Sequence, residues 1–291
     1  MNDHPGTPVA IGGVGGSGTR LIARLLMELG FYMGDDLNES NDNLWFTLLF
    51  KHVGILSAPA GEFEDLVRIF VERMTGTGTC NPSQAAQVRR LALRDRPDHP
   101  ASWLKDRADS LLAGAHKSPG ARPWGWKEPN THVVMDRLPG FLRGMKYIHV
   151  MRNGLDMAHS ANQNQLRLWG RHFLDQDFEV SPRWSLKYWH AVHRRILRVC
   201  ETMGDRFLLL NYDRLCQDPH GELPPLLKFL GLAPSMDAVS RLAELVRAPV
   251  SIGRFKRDGV GVFDPEDVAF ARRLGFDVDD GLVAPGQGRL R

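Results

Sequence analysis

The sequence predicts an α/β fold, a parallel sheet flanked by helices, and three observations predict it. The apolar run Pro8-Val9-Ala10-Ile11 passes through a glycine-rich loop into an amphipathic helix. Lys146-Tyr147-Ile148-His149-Val150-Met151 is β-branched and aromatic, with turn signals on both sides. Arg206-Phe207-Leu208-Leu209-Leu210-Asn211-Tyr212 is a continuous apolar run, as a strand buried in a parallel sheet should be. A chain of 291 residues suits one large domain, 1–291, with a sizeable core.

The first element is the strand before the loop Gly12-Gly13-Val14-Gly15-Gly16-Ser17-Gly18-Thr19-Arg20. Leu21, Ile22, Leu25, Leu26 and Leu29 then recur at helical spacing, and Gly30 is a fitting stop. Strand, glycine loop and helix together aim backbone N–H groups and the positive helix end at one point, which makes an anion site. Ser17 and Thr19 add hydroxyls, and Arg20 adds charge. Gly13 and Gly18 have the spacing of a nucleotide P-loop, but Thr19 and Arg20 stand where Lys and Ser/Thr belong. The missing Lys argues against an ATPase or kinase. The alternative is a tight glycine turn with no ligand.

Residues 31–43 form a polar connection in which Asp35, Asp36, Glu39 or Asp42 either borders an acceptor site or is simply solvated. Helical spacing marks 44–55, 62–75 and 103–112, and 44–120 reads as a helical insertion between two strands. Trp124-Gly125-Trp126 is a short strand ended by Pro129, so Lys127 and Glu128 fall at its carboxyl end, where ligands of open α/β sheets sit. An exposed ion pair is the plain alternative. His132 reads as a packed or capping residue.

After the strand 146–151, Asn153 caps a helix with Asp156 in its first turn. Ser160 falls about two turns on, roughly 10 Å along the axis, where Arg152 can meet it on one phosphate. Ser181-Pro182 opens a long helix with an apolar stripe from Trp184 to Val199. Helices at 222–230 and 236–246 follow the last strand. The segment 251–259 is a basic loop with glycine on both sides, and the chain from Gly275 is expected to fray.

Composition narrows the function. The net charge of +3 is mild, which suits an anionic small ligand better than a nucleic-acid backbone. Cys80, Cys200 and Cys216 lack metal-ligand spacing and read as buried, reduced thiols of a cytoplasmic protein. No signal peptide and no membrane-spanning run stand out.

Three stretches resemble the sulfotransferases that use 3′-phosphoadenosine 5′-phosphosulfate (PAPS), in their bacterial form. Gly15-Gly16-Ser17-Gly18-Thr19-Arg20 is similar to the family's loop for the 5′-phosphosulfate. Tyr147 to Arg152 with Ser160 is similar to its 3′-phosphate motif of a strand, an Arg and a Ser eight positions later. The stretch 208–230, with Tyr212-Asp213-Arg214-Leu215 and Asp218-Pro219, is similar to a recurring strand and helix. The resemblance implies a P-loop-like α/β fold and sulfuryl transfer to a hydroxyl or amine of a small-molecule, glycan or peptide acceptor. It implies that Gly15, Gly16, Ser17, Gly18 and Thr19 hold the phosphosulfate, that Arg152 and Ser160 hold the 3′-phosphate, and that Tyr212, Arg254 and Lys256 belong to the cofactor site.

The family usually has Lys or Arg immediately before Ser-Gly-Thr, where this chain has Gly16. Arg20 or Lys127 must then supply the missing cation. Lys127 is assigned to the leaving group or sulfuryl oxygens. Glu128 is the first choice of base, with Asp36 and Asp42 in reserve. No metal is expected. Two rival readings remain, a kinase-like P-loop phosphotransferase and a nucleotide sensor that lost catalysis with Gly16.

Overall fold

The computed structural model describes residues 6–96, 98–114, 120 and 122–279. Four strands, β1 (Val9–Gly13), β2 (Gly125–Lys127), β3 (Lys146–Met151) and β4 (Phe207–Asn211), form one sheet in the order β2-β1-β3-β4. Every neighbouring pair is parallel. β1 and β3 occupy the centre and are almost wholly buried, which their near-continuous apolar sequences require. β4 lies at the edge, with Leu208, Leu209 and Asn211 half-buried, so the expectation of a fully buried strand fails there.

Side chains alternate across the sheet and feed two cores. On one face Val9, Ile11, Ile148, Val150 and Leu210 pack with Ile22, Leu25 and Leu26 of α1 (Thr19–Glu28). On the other, Ala10, Trp126, Tyr147 and Phe207 meet a larger helical layer. That layer includes α2 (Leu44–Phe50), α3 (Ala60–Thr75), α4 (Pro82–Ala92) and α5 (Ala101–Ala113), which lie in the chain between α1 and β2 and make up the expected insertion. Pro97 and residues 115–119 and 121 of that insertion lie outside the described residues.

The predicted helix at 44–55 is shorter than expected. α2 ends at Phe50 and a separate 3₁₀ turn covers Val53–Ile55. Asn43 opens α2: its side-chain oxygen accepts from Phe46 N at 3.0 Å, and its own backbone N–H donates to Lys127 O at 2.7 Å. Phe46 stacks on Trp126 with ring centroids 5.6 Å apart, and Phe70 meets the same ring edge-on at 5.2 Å. The insertion is therefore fastened to β2, the strand that carries Lys127. α4 has no counterpart in the sequence reading, although Asn81 and Gln84 form a complete capping box at its start.

Beyond β2 come a 3₁₀ turn (Pro129–Val134) and α6 (Leu138–Phe141). His132 in that turn is fully buried, a packed residue as expected. α7 (Gly154–Ala158), α8 (Asn164–Phe173) and α9 (Pro182–Met203) connect β3 to β4. α9 begins at the predicted proline, whereas α8 was not anticipated. α7 stops two residues before Ser160, which therefore stands on a loop and not on the second turn of a helix. α10 (Tyr212–Gln217), α11 (Pro219–Leu230), α12 (Met236–Ala243), α13 (Phe255–Asp258) and α14 (Pro265–Arg273) complete the described chain.

Phe276 and Val278 are buried in the larger core, so the chain does not fray at Gly275. Residues 280–291 of the expected frayed end lie outside the described residues. The three cysteines are free but only half-buried, not core thiols. Among the described residues no helix is long and apolar enough to cross a membrane.

Candidate active site

The loop between β1 and α1 sits where the carboxyl ends of the strands open. Gly16 and Gly18 have φ of +93° and +96°, a backbone region that glycine enters without strain. At Gly18 there is a second reason: a Cβ would lie 2.1 Å from the Tyr212 ring, which packs against the loop. The first turn of α1 carries no acidic residue, so its unpaired N–H groups and positive end remain available to an anion. Ser17 is 1 % exposed and its Oγ has no hydrogen-bond partner among the described residues. An unsatisfied buried hydroxyl inside a glycine loop fits a site completed by a phosphate-type ligand.

A cavity of about 460 Å³ opens against this loop, within the usual size of ligand pockets. Gly15, Gly16, Gly18 and Thr19 form one wall, and Arg20, Arg24, Lys127 and Arg247 reach it from three parts of the chain. Asp42 is the sole carboxylate among the described lining residues, and it is already paired with Lys127. Lys127 Nζ also donates to Ser40 O at 3.0 Å, and its side chain is only 3 % exposed. Arg20 donates to Ser40 Oγ. Among the described residues Arg20, Arg24 and Arg247 have no carboxylate partner. The cavity therefore carries a clear excess of positive charge, while Leu21, Tyr212 and Leu245 give it an apolar side.

The three candidate bases are separated by the structure. Asp42 lines the cavity. Asp36 turns to Arg107 of α5, 2.6 Å away. Glu128 is absent from the lining: it is 2 % exposed and caps its own 3₁₀ turn, accepting from the backbone and side-chain nitrogens of Asn130. Burial pushes its carboxyl above the usual range. Adjacent residues leave a strand on opposite sides, so Lys127 reaches the cavity and Glu128 does not.

Arg152, at the end of β3, lies beneath the loop. It donates to Gly16 O at 3.4 Å and to Ser251 Oγ at 2.8 Å, and its guanidinium stands 5.7 Å from the Tyr212 ring centroid. Arg254 donates to Ser251 O at 3.4 Å and to His159 O at 3.3 Å, which brings it beside Ser160 and Arg152. Two guanidiniums sharing one serine suit a multiply charged anion. Lys256 goes elsewhere: its amine pairs with Asp277 at 2.6 Å and lines a second cavity with Asn153, Asp156 and Asp213. The sequence reading had placed it over the cofactor. It also missed Arg24, Ser40, Asn162 and Arg247. Arg24 alone left a signal, one turn after Arg20 on the polar face of α1.

Among the described residues no group of three or more His, Cys, Asp or Glu side chains is placed to hold a metal ion. No curated protein gives a match. Among solved structures the chain is similar to the sulfotransferase domain of the Synechococcus PCC 7002 olefin synthase, at 16 % identity and TM-score 0.53 over 96 % of this chain and 98 % of that one. It is also similar to the sulfotransferase domain from the curacin biosynthetic pathway (12 %, TM-score 0.48, 95 % of this chain and 100 % of that one). A third is the sulfotransferase STF1 of Mycobacterium tuberculosis H37Rv (15 %, TM-score 0.42, 82 % and 70 %). The olefin synthase likeness speaks for the fold. The family itself is carried by sequence, since the sulfotransferase family model matches residues 8–236 and so takes in the glycine loop, Lys127, Arg152 and Tyr212. This chain belongs to the sulfotransferase family.

Proposed function

We propose that the chain moves a sulfuryl group from PAPS to a hydroxyl or amine of a small-molecule, glycan or peptide acceptor, without a metal. The observation that carries the reading is the cationic cavity at the glycine loop, with Lys127, buried and paired with the half-buried Asp42, at its edge. PAPS supplies a sulfur bound to a good leaving phosphate. The loop amides from Gly15 to Thr19 and the Ser17 hydroxyl hold the 5′-phosphosulfate. Arg152, Ser160 and Arg254 take the 3′-phosphate, and Tyr212 with Leu21 and Leu245 offers an apolar wall to the base.

In the transfer, the acceptor oxygen or nitrogen bonds to sulfur as the bond from sulfur to the bridging phosphate oxygen breaks. The electron pair stays on that oxygen, and the bisphosphate nucleotide leaves. Lys127 and Arg20 stabilise the charge that collects there, in place of the cation absent at Gly16. Asp42 takes the acceptor's proton. Glu128 is left to brace the turn after β2.

The test is transfer from labelled PAPS to a panel of hydroxyl and amine acceptors, in excess chelator. Lys127→Met is expected to lower kcat by about 10²–10³ while product-nucleotide affinity is kept. Loss of transfer on chelation, restored by magnesium, would refute the metal-free reading. Normal nucleotide binding with no transfer to any acceptor would favour a silent sensor.

A further inference from the structure

A second cationic pocket lies where α2 ends, outside the cavity just described. It measures about 180 Å³, room for several waters at about 30 Å³ each. Lys51, His52, Arg94, Arg96 and His99 line it, with Val53 and Leu168 at its apolar rim. The bonding of its three cations is unusual, because each goes to neutral acceptors. Lys51 Nζ lies 3.4 Å from His99 Nε2. Arg94 Nη1 lies 3.2 Å from His52 Nδ1. Arg96 spends its guanidinium on backbone carbonyls, 2.7 Å from Leu48 O and 3.1 Å from Thr47 O.

Both histidines must present a bare ring nitrogen to these donors, so both are neutral. Burial and the neighbouring cations hold His52 down to about 3 and His99 to about 4. Asp95 and Asp98 also face the pocket, but both are exposed. Neither forms an ion pair with Lys51, Arg94 or Arg96 among the described residues, at a limit of 4.0 Å. Arg94 is exposed and Lys51 acts through space on the buried Glu128 carboxyl, so solvent and Glu128 answer part of this charge; a small anion between Lys51 and Arg94 is the ligand that would compensate the rest.

We propose that this pocket is an oxyanion site in which Lys51 and Arg94 take a sulfate, phosphate or carboxylate group. The binding itself does not depend on the sulfuryl-transfer reading. What rests on that reading is the identity of the bearer, an acidic substituent of the acceptor. α2 connects the two places, with Asp42 and Asn43 at its start and Lys51 at its end. Its 7 residues span about 10 Å at 1.5 Å each. All seven residues of α2 are buried, so an acceptor held by its acidic group at Lys51 would have to pass around α2 to reach Asp42.

The experiment is calorimetric titration of the full chain with inorganic sulfate and phosphate, and separately with glucuronate and glucose, with no donor present. The expected result is a saturable sulfate or phosphate isotherm that weakens about tenfold or more in Lys51→Met/Arg94→Gln, roughly 1.4 kcal/mol. Arg183→Gln, a distant cation, should bind as the wild type does. Gly54→Ala keeps every charge, and its Cβ would lie 2.7 Å from Arg94 Nη1, the tip of an exposed side chain that must move aside. Several-fold weakening in that variant supports a shaped site over a diffuse positive field. Glucuronate binding that needs Lys51 and Arg94 assigns the site to an acidic acceptor, whereas response to inorganic anions alone assigns it to a free anion. Isotherms unchanged in the double variant overturn the proposal. A protein that fails in sulfuryl transfer yet shows these isotherms keeps the site and loses only the acceptor.

Discussion

Acid should destabilise this protein steeply, and the reason lies behind the glycine loop. His132, His149 and His193 are at most 1 % exposed, with ring centroids 6.3 Å apart for the first pair and 5.1 Å for the second. Each ring uses one nitrogen: His132 with Gln165 Oε1 at 3.2 Å, His149 with Tyr147 Oη at 3.0 Å, His193 with Trp189 O at 2.7 Å. The other three nitrogens are buried with no partner among the described residues, so a second proton would have no acceptor. Burial accordingly holds His132 down to about 3, His193 to about 4, and His149 well below 6.5. The unfolded chain binds these protons near 6.5 and the folded chain does not. Stability therefore rises with pH across that window and falls as pH drops below it.

At pH 5 each histidine costs RT ln(1 + 10^1.5), about 2 kcal/mol relative to pH 8. Three together reach about 6 kcal/mol, comparable to a domain's whole net stability. Glu128 acts in the opposite sense. Burial raises its carboxyl, so the folded chain keeps a proton that the unfolded chain loses, and this stability fades as pH rises. The histidine contribution must therefore be read by difference. Urea unfolding followed by tryptophan fluorescence at pH 8 and pH 5 gives the gap for wild type, His149→Gln and His193→Gln. Each variant should narrow the gap by about 2 kcal/mol, whatever it does to stability at pH 8. A gap equal in all three proteins would refute the reasoning.

Three further outcomes follow from the candidate site. Arg152→Ala should weaken the bisphosphate nucleotide by about 2–4 kcal/mol and leave adenosine 5′-phosphosulfate nearly unaffected, as titration calorimetry would show. Asp42→Asn should lower the single-turnover rate by about 10²–10⁴ at saturating donor, whereas Glu128→Gln should keep a rate near wild type. The reverse order would restore Glu128 as base. Gly18→Ala places a methyl against the Tyr212 ring at a positive φ, so nucleotide affinity should fall while far-UV circular dichroism stays unchanged.

Strongly periodic elements were legible from sequence. β3 spans the predicted 146–151, and α9 starts at the predicted Pro182. α4, α8 and α14 were not: each is short and mixes polar with apolar residues, and only α4 opens on a side-chain cap. The glycine loop was legible because its glycines cluster, and at Gly16 and Gly18 the positive φ requires them. The choice among acids was not. Whether Asp42 or Glu128 faces the cavity depends on where β2 stops and how residues 31–43 return to it. The arginines follow the same logic: Arg247 enters the cavity from beyond α12, and no local spacing records such an approach.

Asn43 joins two tasks that are usually thought separable. Its N–H holds the carbonyl of Lys127, its neighbour Asp42 holds the Lys127 amine, and its side chain starts α2. The insertion and the Lys127 amine are thus held by one junction. A graft that exchanged 44–113 for a relative's helices, to change the acceptor, would keep its rate only if the donor segment met residues 42, 43 and 127 at the same angle. On the proposed reading, a change in the insertion that alters acceptor preference also shifts Lys127, and with it turnover.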